Sequence, residues 1–225
     1  MKYQLHNADF RDILPTMPND SVEMVLTDIP YGEVNRKGKI RNLDKGKADI
    51  CDFDIRDMAH ELVRVCSGSI YVFCGIEQVS DLRAQFVDDG MLTRLCIWEK
   101  SNPSPMNGQH FWLSSVECCV FARKKNAVFN EFCKSAVWRF PSCVSEIHPT
   151  QKPLSLFRYL IKTSSSPMGG VLDICMGSGT TGVAAIQAER DFIGVERDAD
   201  FFKSAKERIE KEYAKPRQQE FEICE

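Results

Sequence analysis

The sequence predicts an α/β fold in which a mostly parallel sheet carries helices on both faces. Short apolar runs alternate with stretches of helical pattern along most of the chain, and a glycine-rich turn joins one late apolar run to a helix. Such alternation builds parallel strands that are connected by helices. The predicted strands are residues 3–6, 23–27, 69–73, 92–98, 116–122, 170–174 and 192–195. The predicted helices are residues 10–14, 55–65, 77–87, 154–163, 180–188 and 199–213.

The bulk composition fits one folded domain. Of the 225 residues, 43% are hydrophobic, which is enough for a core. No apolar run approaches the roughly 18–20 residues that span a bilayer, and the amino terminus lacks the apolar stretch of a secretory signal. The ten cysteines include no C-x-x-C pair, so we expect reduced thiols and no metal site. We therefore expect one catalytic domain over residues 1–225, cytoplasmic and without membrane contact.

Two segments interrupt the alternation and are predicted to contact the substrate, because loops carry binding residues disproportionately. The first is a basic loop at residues 33–52, whose central part, residues 35–47, holds six Lys or Arg against one Asp. The second, from about residue 100 to 149, is rich in Pro, Gly, Asn and aromatic residues. A net charge of −3 gives no basic field over the whole chain, so a solvated loop remains the alternative for the first segment.

The clearest motif lies at residues 171–198, VLDICMGSGTTGVAAIQAERDFIGVERD. Gly177, Gly179 and Gly182 have G-x-G-x-x-G spacing between a strand and a helix, and Glu196 follows the next strand. Glycines allow a tight turn and close approach of a ligand, and the acidic residue can accept hydrogen bonds from ribose hydroxyls. The motif therefore predicts a nucleoside-binding unit. Glycines that only pack a helix on a strand, and a dinucleotide site, remain alternatives. A dinucleotide domain fits poorly because only 43 residues (225 − 182) follow Gly182.

A second motif, SVEMVLTDIPYG at residues 21–32, delivers Asp28 at the carboxyl end of a strand. Ligands of open α/β sheets bind beyond these strand ends, so Asp28 is expected to face the same crevice as the glycine turn. An exocyclic amino group of a base is a poor nucleophile, because its lone pair is delocalised into the ring. Asp28 and the Ile29 carbonyl can accept its two N–H groups. Pro30 rigidifies the turn, and Tyr31 offers a flat face to an extruded base. A strand-ending turn capped by Asp28 is the alternative.

With these motifs the chain resembles the beta-class amino-methyltransferases of DNA, which use S-adenosylmethionine. Their usual Asp-Pro-Pro-Tyr precedes the glycine motif, and here the tetrapeptide lies at 28–31, HPTQKP at 148–153 and DICMGSGTT at 173–181. The resemblance covers nearly the whole chain. It implies a Rossmann-like, seven-stranded methyltransferase sheet with circularly permuted motif order.

The resemblance also implies site residues. Those expected to act on the target base are Asp28, Ile29, Pro30 and Tyr31. Those expected at the cofactor are Asp9, Phe10, Thr150, Lys152, Asp173, Cys175, Gly177, Ser178, Gly179, Thr180, Thr181, Glu196 and Arg197. Asp9 and Phe10 would hold the cofactor adenine, Glu196 its ribose, and Thr150 and Lys152 would lie near its carboxylate. The residues expected to contact DNA are Arg36, Lys37, Lys39, Arg41, Lys45, Lys47 and Lys100.

The sequence departs from the family pattern at two positions. Ile29 and Cys175 stand where the family usually has proline. Without proline at position 29, the catalytic turn is expected to be less rigid. Asp rather than Ser at position 28 favours adenine N6 as the target in double-stranded DNA. N4-cytosine methylation by the same architecture, an inactive cofactor- or DNA-binding module and a nicotinamide dehydrogenase remain alternatives. A bacterial or phage origin is expected, and a homodimer is left open.

Overall fold

A computed structural model describes residues 1–32, 51–105, 108–143 and 151–216. These residues form one eight-stranded sheet in the order β1-β8-β7-β2-β3-β5-β4-β6. The strands are β1 Tyr3–His6, β2 Val22–Asp28, β3 Cys66–Cys74, β4 Leu92–Lys100, β5 Val116–Arg123, β6 Val137–Phe140, β7 Gly170–Asp173 and β8 Asp191–Val195. The helices are α1 Phe10–Ile13, α2 Ile55–Val65, α3 Val79–Asp88, α4 Leu154–Ser164, α5 Thr180–Gln187 and α6 Ala199–Tyr213.

Seven of the eight described strands point the same way, so their carboxyl ends lie on one side of the sheet. Among the described strands only β5 runs antiparallel to its neighbours, β3 and β4, while the other pairs are parallel. Because β5 is reversed, its first residues lie on the side where β2 and β4 end. One side of the sheet therefore holds the carboxyl ends of β2, β4, β7 and β8 together with the beginning of β5.

Apolar cores lie on both faces of the sheet. One core joins α1, α2 and α3 to the sheet and includes Phe10, Leu62 and Phe86. The other joins α4, α5 and α6 to the opposite face and includes Phe157 and Ile209. α2 is typical of these helices: Asp54 caps it by accepting from two backbone N–H groups, and its apolar stripe is buried. The predicted fold class, with helices on both faces, is confirmed.

The structure differs from the predicted sheet in its strand number. β6 lies in the segment that the sequence assigned to irregular structure, which makes eight strands in the described part of the chain rather than seven. The strand has four residues, too few to show a clear alternation of apolar and polar side chains in the sequence. In the structure it pairs with β4, and Trp98 Nε1 donates to the Phe140 carbonyl (2.9 Å). The helix predicted from residue 77 begins as a 3-10 turn, Ile76–Gln78, before α3.

No described helix is long and apolar enough to cross a membrane. Within the same residues, no group of three or more His, Cys, Asp or Glu side chains could hold a metal ion.

Candidate active site

The glycine-rich turn connects β7 to α5 in the manner that a nucleoside site requires. Gly179 is the residue before α5 and has φ of 76°, a left-handed conformation that strains other residues. A Cβ on Gly182 would lie 2.5 Å from Ile209 Cδ1, so this glycine lets α5 pack closely against α6. The turn is also tied to β8, because the N–H of Met176 donates to the Val195 carbonyl (3.0 Å).

Glu196, directly after β8, braces the turn from the other side. Its Oε2 accepts the N–H of Gly177 (2.9 Å) and its Oε1 accepts the N–H of Asp198 (2.8 Å). Burial raises the pKa of Glu196, and these two hydrogen bonds oppose that rise. A carboxylate oxygen has two lone pairs, so each oxygen can still accept a further hydrogen bond.

Asp173, at the end of β7, joins the turn to the neighbouring strand β2. Its Oδ1 accepts from Thr27 Oγ1 (2.8 Å) and from the N–H of Cys175 (3.1 Å), and its Oδ2 accepts from Thr181 Oγ1. Burial raises the pKa of Asp173 to about 7, although the threonine hydrogen bonds oppose the rise. Since Asp28 follows Thr27, the glycine turn and the tetrapeptide are linked through one buried side chain.

The tetrapeptide is held at the end of β2 by backbone and side-chain contacts. Ile29 is buried in the core and its N–H donates to the Phe73 carbonyl (3.1 Å) on β3. Gln78 Nε2 donates to the Pro30 carbonyl (2.8 Å), while Gln78 Oε1 accepts the N–H of Gly75 (2.8 Å). Gln78 therefore fastens the turn to the segment after β3, which supplies rigidity that the missing proline at position 29 would otherwise give.

A compact cluster of charged side chains surrounds Asp28. The Nζ atom of Lys152 lies 2.6 Å from Asp28 Oδ2 and 3.1 Å from Glu117 Oε2, and the lysine side chain is 5% exposed. The hydroxyl of Tyr31 lies within donating distance of Asp28 Oδ1 (3.0 Å) and of Glu117 Oε2 (3.1 Å). Lys100 pairs with the other oxygen of Glu117 (2.8 Å).

Burial and charge act in opposition on the pKa values of this cluster. Burial raises the pKa of Asp28, the positive charge of Lys152 opposes the rise, and the negative charge of Glu117 adds to it. Burial would also raise the pKa of Glu117, but Lys152 and Lys100 outweigh it and hold that pKa at about 2. Burial would lower the pKa of Lys152, but its two carboxylate partners outweigh burial and raise it. Glu117 is thus firmly ionised, whereas Asp28 is the more basic carboxylate.

Comparison with known proteins identifies this arrangement. The N6/N4 methyltransferase family, described as DNA methylase, matches residues 122–207. The type II methyltransferase M2.MboI of Moraxella bovis is 25% identical over 237 residues, covering 92% of this chain and 87% of the relative. M2.LlaDCHI of Lactococcus lactis subsp. cremoris is 27% identical over 245 residues, covering 92% and 89%. The chain is thus similar over nearly its whole length to type II methyltransferases, and part of it matches the N6/N4 DNA methylase family.

Two solved structures share this fold. The M1.HpyAVI–SAM complex matches with a TM-score of 0.73 at 27% identity, covering 92% of this chain and 99% of the other. The cytosine-N4-specific PvuII DNA methyltransferase matches with a TM-score of 0.71, covering 95% and 92%, but at 17% identity this likeness shows the fold alone.

The structure places the expected cofactor residues around the same strand ends, though several face other protein groups. The carboxylate of Asp9 accepts from the Arg11 guanidinium (2.7 Å), and the ring of Phe10 lies edge-on against Phe53 (5.0 Å between centroids). Arg197 donates to both oxygens of Asp52, each at 2.9 Å.

Residues of the glycine turn also have partners inside the protein. Ser178 and Thr180 both lie within hydrogen-bond distance of Arg208 Nη1, at 3.3 and 3.1 Å. Burial raises the pKa of the Cys175 thiol well above its ordinary value, so this cysteine stays protonated. A protonated thiol agrees with direct transfer to nitrogen, which needs no cysteine nucleophile.

The structure gives the partners of two lysines among the expected site residues. Lys152, expected near the cofactor carboxylate, has its ammonium in contact with Asp28 and Glu117. Lys100, expected to contact DNA, has a side chain that is 16% exposed and pairs with Glu117. The other expected DNA-contacting residues, Arg36, Lys37, Lys39, Arg41, Lys45 and Lys47, lie outside the described residues, as does Thr150.

Sequence reasoning did not identify Glu117, Gln78 or Thr27. Glu117 is a single acidic residue in the apolar run VECCVFAR, where a charge expected to be half-buried is the one available signal. Gln78 and Thr27 are ordinary polar residues of a helix start and a strand, and only the folded contacts show what they bind.

Proposed function

We propose that this protein transfers a methyl group from S-adenosylmethionine to N6 of adenine in double-stranded DNA. The observation that carries the proposal is the junction of the two halves of the site, in which Thr27 Oγ1, beside Asp28, donates to Asp173 Oδ1 at 2.8 Å. The nucleoside-binding turn and the candidate catalytic carboxylate therefore lie at the joined ends of the neighbouring strands β7 and β2. Direct transfer needs both reactants to be held in one such place.

The residues of the glycine turn fit this cofactor. Glu196 retains acceptor capacity for the ribose hydroxyls beyond its two backbone hydrogen bonds. The ring of Phe10, expected beside the cofactor adenine, is buried and packs edge-on against Phe53. Bound at the turn, S-adenosylmethionine supplies a methyl group that is activated by its sulfonium.

Asp28 and the turn after it would prepare the target amino group. One oxygen of Asp28 would accept an N–H of the base, and the Ile29 carbonyl, next along the turn, would accept the other. The nitrogen lone pair then forms the N–CH₃ bond while the S–CH₃ bond breaks and its electron pair stays on sulfur. The nitrogen releases a proton to Asp28 and from there to water. Because burial raises the pKa of Asp28, this carboxylate is a better proton acceptor than an exposed one.

Adenine is the proposed base because the tetrapeptide begins with Asp28. Family members that methylate cytosine N4 more often begin with Ser, by the resemblance described above. The base must leave the helix to reach Asp28, and the ring of Tyr31 could stack against it. When Asp28 binds the amino group, the Tyr31 hydroxyl can leave Asp28 and keep its contact with Glu117.

Nucleoside analysis tests the proposal. Double-stranded DNA of mixed sequence is incubated with the protein and methyl-labelled S-adenosylmethionine, digested, and analysed by mass spectrometry. We expect label in N6-methyladenine. Label in N4-methylcytosine would overturn the assignment of the base while keeping the reaction type. Absence of label, together with calorimetric binding of NAD and not of S-adenosylhomocysteine, would overturn the function.

A further inference from the structure

Glu117 and Asp28 share the same two hydrogen-bond donors. The ammonium of Lys152 lies 2.6 Å from Asp28 and 3.1 Å from Glu117, and the hydroxyl of Tyr31 lies 3.0 Å and 3.1 Å from the same two carboxylates. The hydroxyl has one proton, so it can donate fully to only one carboxylate at a time. The two carboxylates are therefore alternative acceptors for a common pair of donors.

This sharing matters because the donors occupy both oxygens of Asp28. Tyr31 is at Oδ1 and Lys152 is at Oδ2, so each oxygen of Asp28 already has one partner, and an incoming amino group meets a carboxylate whose charge is shared with an ammonium. A buried ammonium that loses its counter-ion is strongly destabilised. If Asp28 were its sole partner, Lys152 would stay bound to this carboxylate when the substrate arrives.

We propose that Glu117 is a positioning residue for methyl transfer: it retains Lys152 and the Tyr31 hydroxyl while Asp28 binds the target amino group. The inference rests on the proposed function and adds a residue to it. Lys100 contributes by pairing with Oε1 of Glu117, which fixes this carboxylate with Oε2 directed at the shared donors.

The charge balance of the cluster supports this role. With Glu117 present, the two carboxylates Asp28 and Glu117 balance the two ammonium groups of Lys152 and Lys100. The attacking nitrogen becomes positively charged as the N–CH₃ bond forms, and a net positive environment would oppose that charge. Without Glu117 the cluster would carry one net positive charge and Lys152 would lie on Asp28 alone.

A double-mutant cycle tests the proposal. Glu117→Gln keeps the shape of the side chain and removes its charge, and we expect kcat to fall by about tenfold or more, with the affinity for S-adenosylhomocysteine unchanged. In a Lys152→Gln background there is no ammonium to retain, so adding Glu117→Gln should reduce kcat much less than it does in the wild type. Glu99→Gln is the matched control, because Glu99 is an exposed carboxylate on β4 that pairs with Arg139, and it should leave kcat unchanged.

The pH profile adds a readout that a purely structural role would not move. The negative charge of Glu117 raises the pKa of Asp28, so Glu117→Gln should shift the acidic limb of kcat to lower pH. Other titratable groups in electrostatic contact with Asp28 are present in both proteins, so they cancel in the comparison: Asp173, Cys74, Cys119 and Cys175.

The outcomes separate this inference from the proposed function. If the wild type is active but the effects of Glu117→Gln and Lys152→Gln on kcat multiply independently, the role of Glu117 is overturned and the proposed function stands. An unshifted pH profile of Glu117→Gln would have the same meaning. A wild type that transfers no methyl group to DNA would overturn the proposed function and this inference with it. If Glu117→Gln does not fold, Glu117→Asp takes its place in the cycle, and independence from Lys152 would again overturn the role.

Discussion

Gln78 is the side chain whose removal should most directly loosen the catalytic turn. Its amide joins the N–H of Gly75 to the carbonyl of Pro30, both at 2.8 Å, and the side chain is buried. Gln78→Leu keeps most of the apolar volume and leaves both backbone groups without this partner. The Gly75 N–H is buried, so its loss should cost about 1–3 kcal/mol, and the partly exposed Pro30 carbonyl should cost about 0.5–1.5 kcal/mol.

We therefore expect Gln78→Leu to lower the free energy of unfolding by about 2–4 kcal/mol in urea denaturation. Turnover should fall as well, because the Ile29 carbonyl and Asp28 lie on the same turn, whereas cofactor affinity should change little. Gln85→Leu is the matched control: Gln85 lies on α3, about two turns further along, and its side-chain amide donates to Asp89 at the helix end (3.1 Å). Equal stability and turnover in the two variants would refute the role assigned to Gln78.

Three further expectations follow from the site and its neighbouring loop. Glu196→Gln should weaken binding of S-adenosylhomocysteine by about 1.5–3 kcal/mol, roughly ten- to hundredfold; unchanged affinity by calorimetry would mean that the glycine motif has been misassigned. The pKa of Asp173 is raised to about 7 in the folded protein by burial, so the folded state binds the proton more tightly than the unfolded state. Its contribution to the free energy of unfolding should therefore fall as pH rises from about 4 to about 7. If the free energy of unfolding of Asp173→Asn depended on pH with the same slope as that of the wild type, this expectation would be contradicted. Replacing Arg36, Lys37 and Lys39 by alanine should reduce the salt dependence of DNA binding by about 0.9 in log–log slope per lost phosphate contact; a slope equal to that of the wild type would exclude this role for the loop.

The sequence predicted the positions of those candidate residues that adjoin a recognisable strand end. Asp28 and Asp173 each end a continuous apolar run, and parallel strands bring such ends to one edge whatever lies between them. The glycine turn is likewise local, since its spacing and the following helix are visible within about 20 residues.

The parts that the sequence did not reveal depend on contacts between distant residues. Lys152 lies 124 positions from Asp28, and its partner Glu117 comes from the reversed strand β5. A lysine before a helix can reach a cofactor or a carboxylate equally well by its residue type, so only the fold decides between them. The sequence likewise does not show the ion pair of Lys100 with Glu117, because this contact depends on the antiparallel pairing of β4 and β5.

The most direct test of the account is the effect of Asp28→Asn on turnover and on cofactor affinity, measured on the same protein preparation. The substitution preserves shape and removes the proton acceptor, while Glu117 still neutralises Lys152. We expect methyl transfer to DNA to fall by about 10²–10⁴-fold, with the affinity for S-adenosylhomocysteine nearly unchanged. Near-wild-type turnover would contradict the central claim that Asp28 acts on the target amino group, and a parallel loss of cofactor affinity would contradict its separation from the cofactor site.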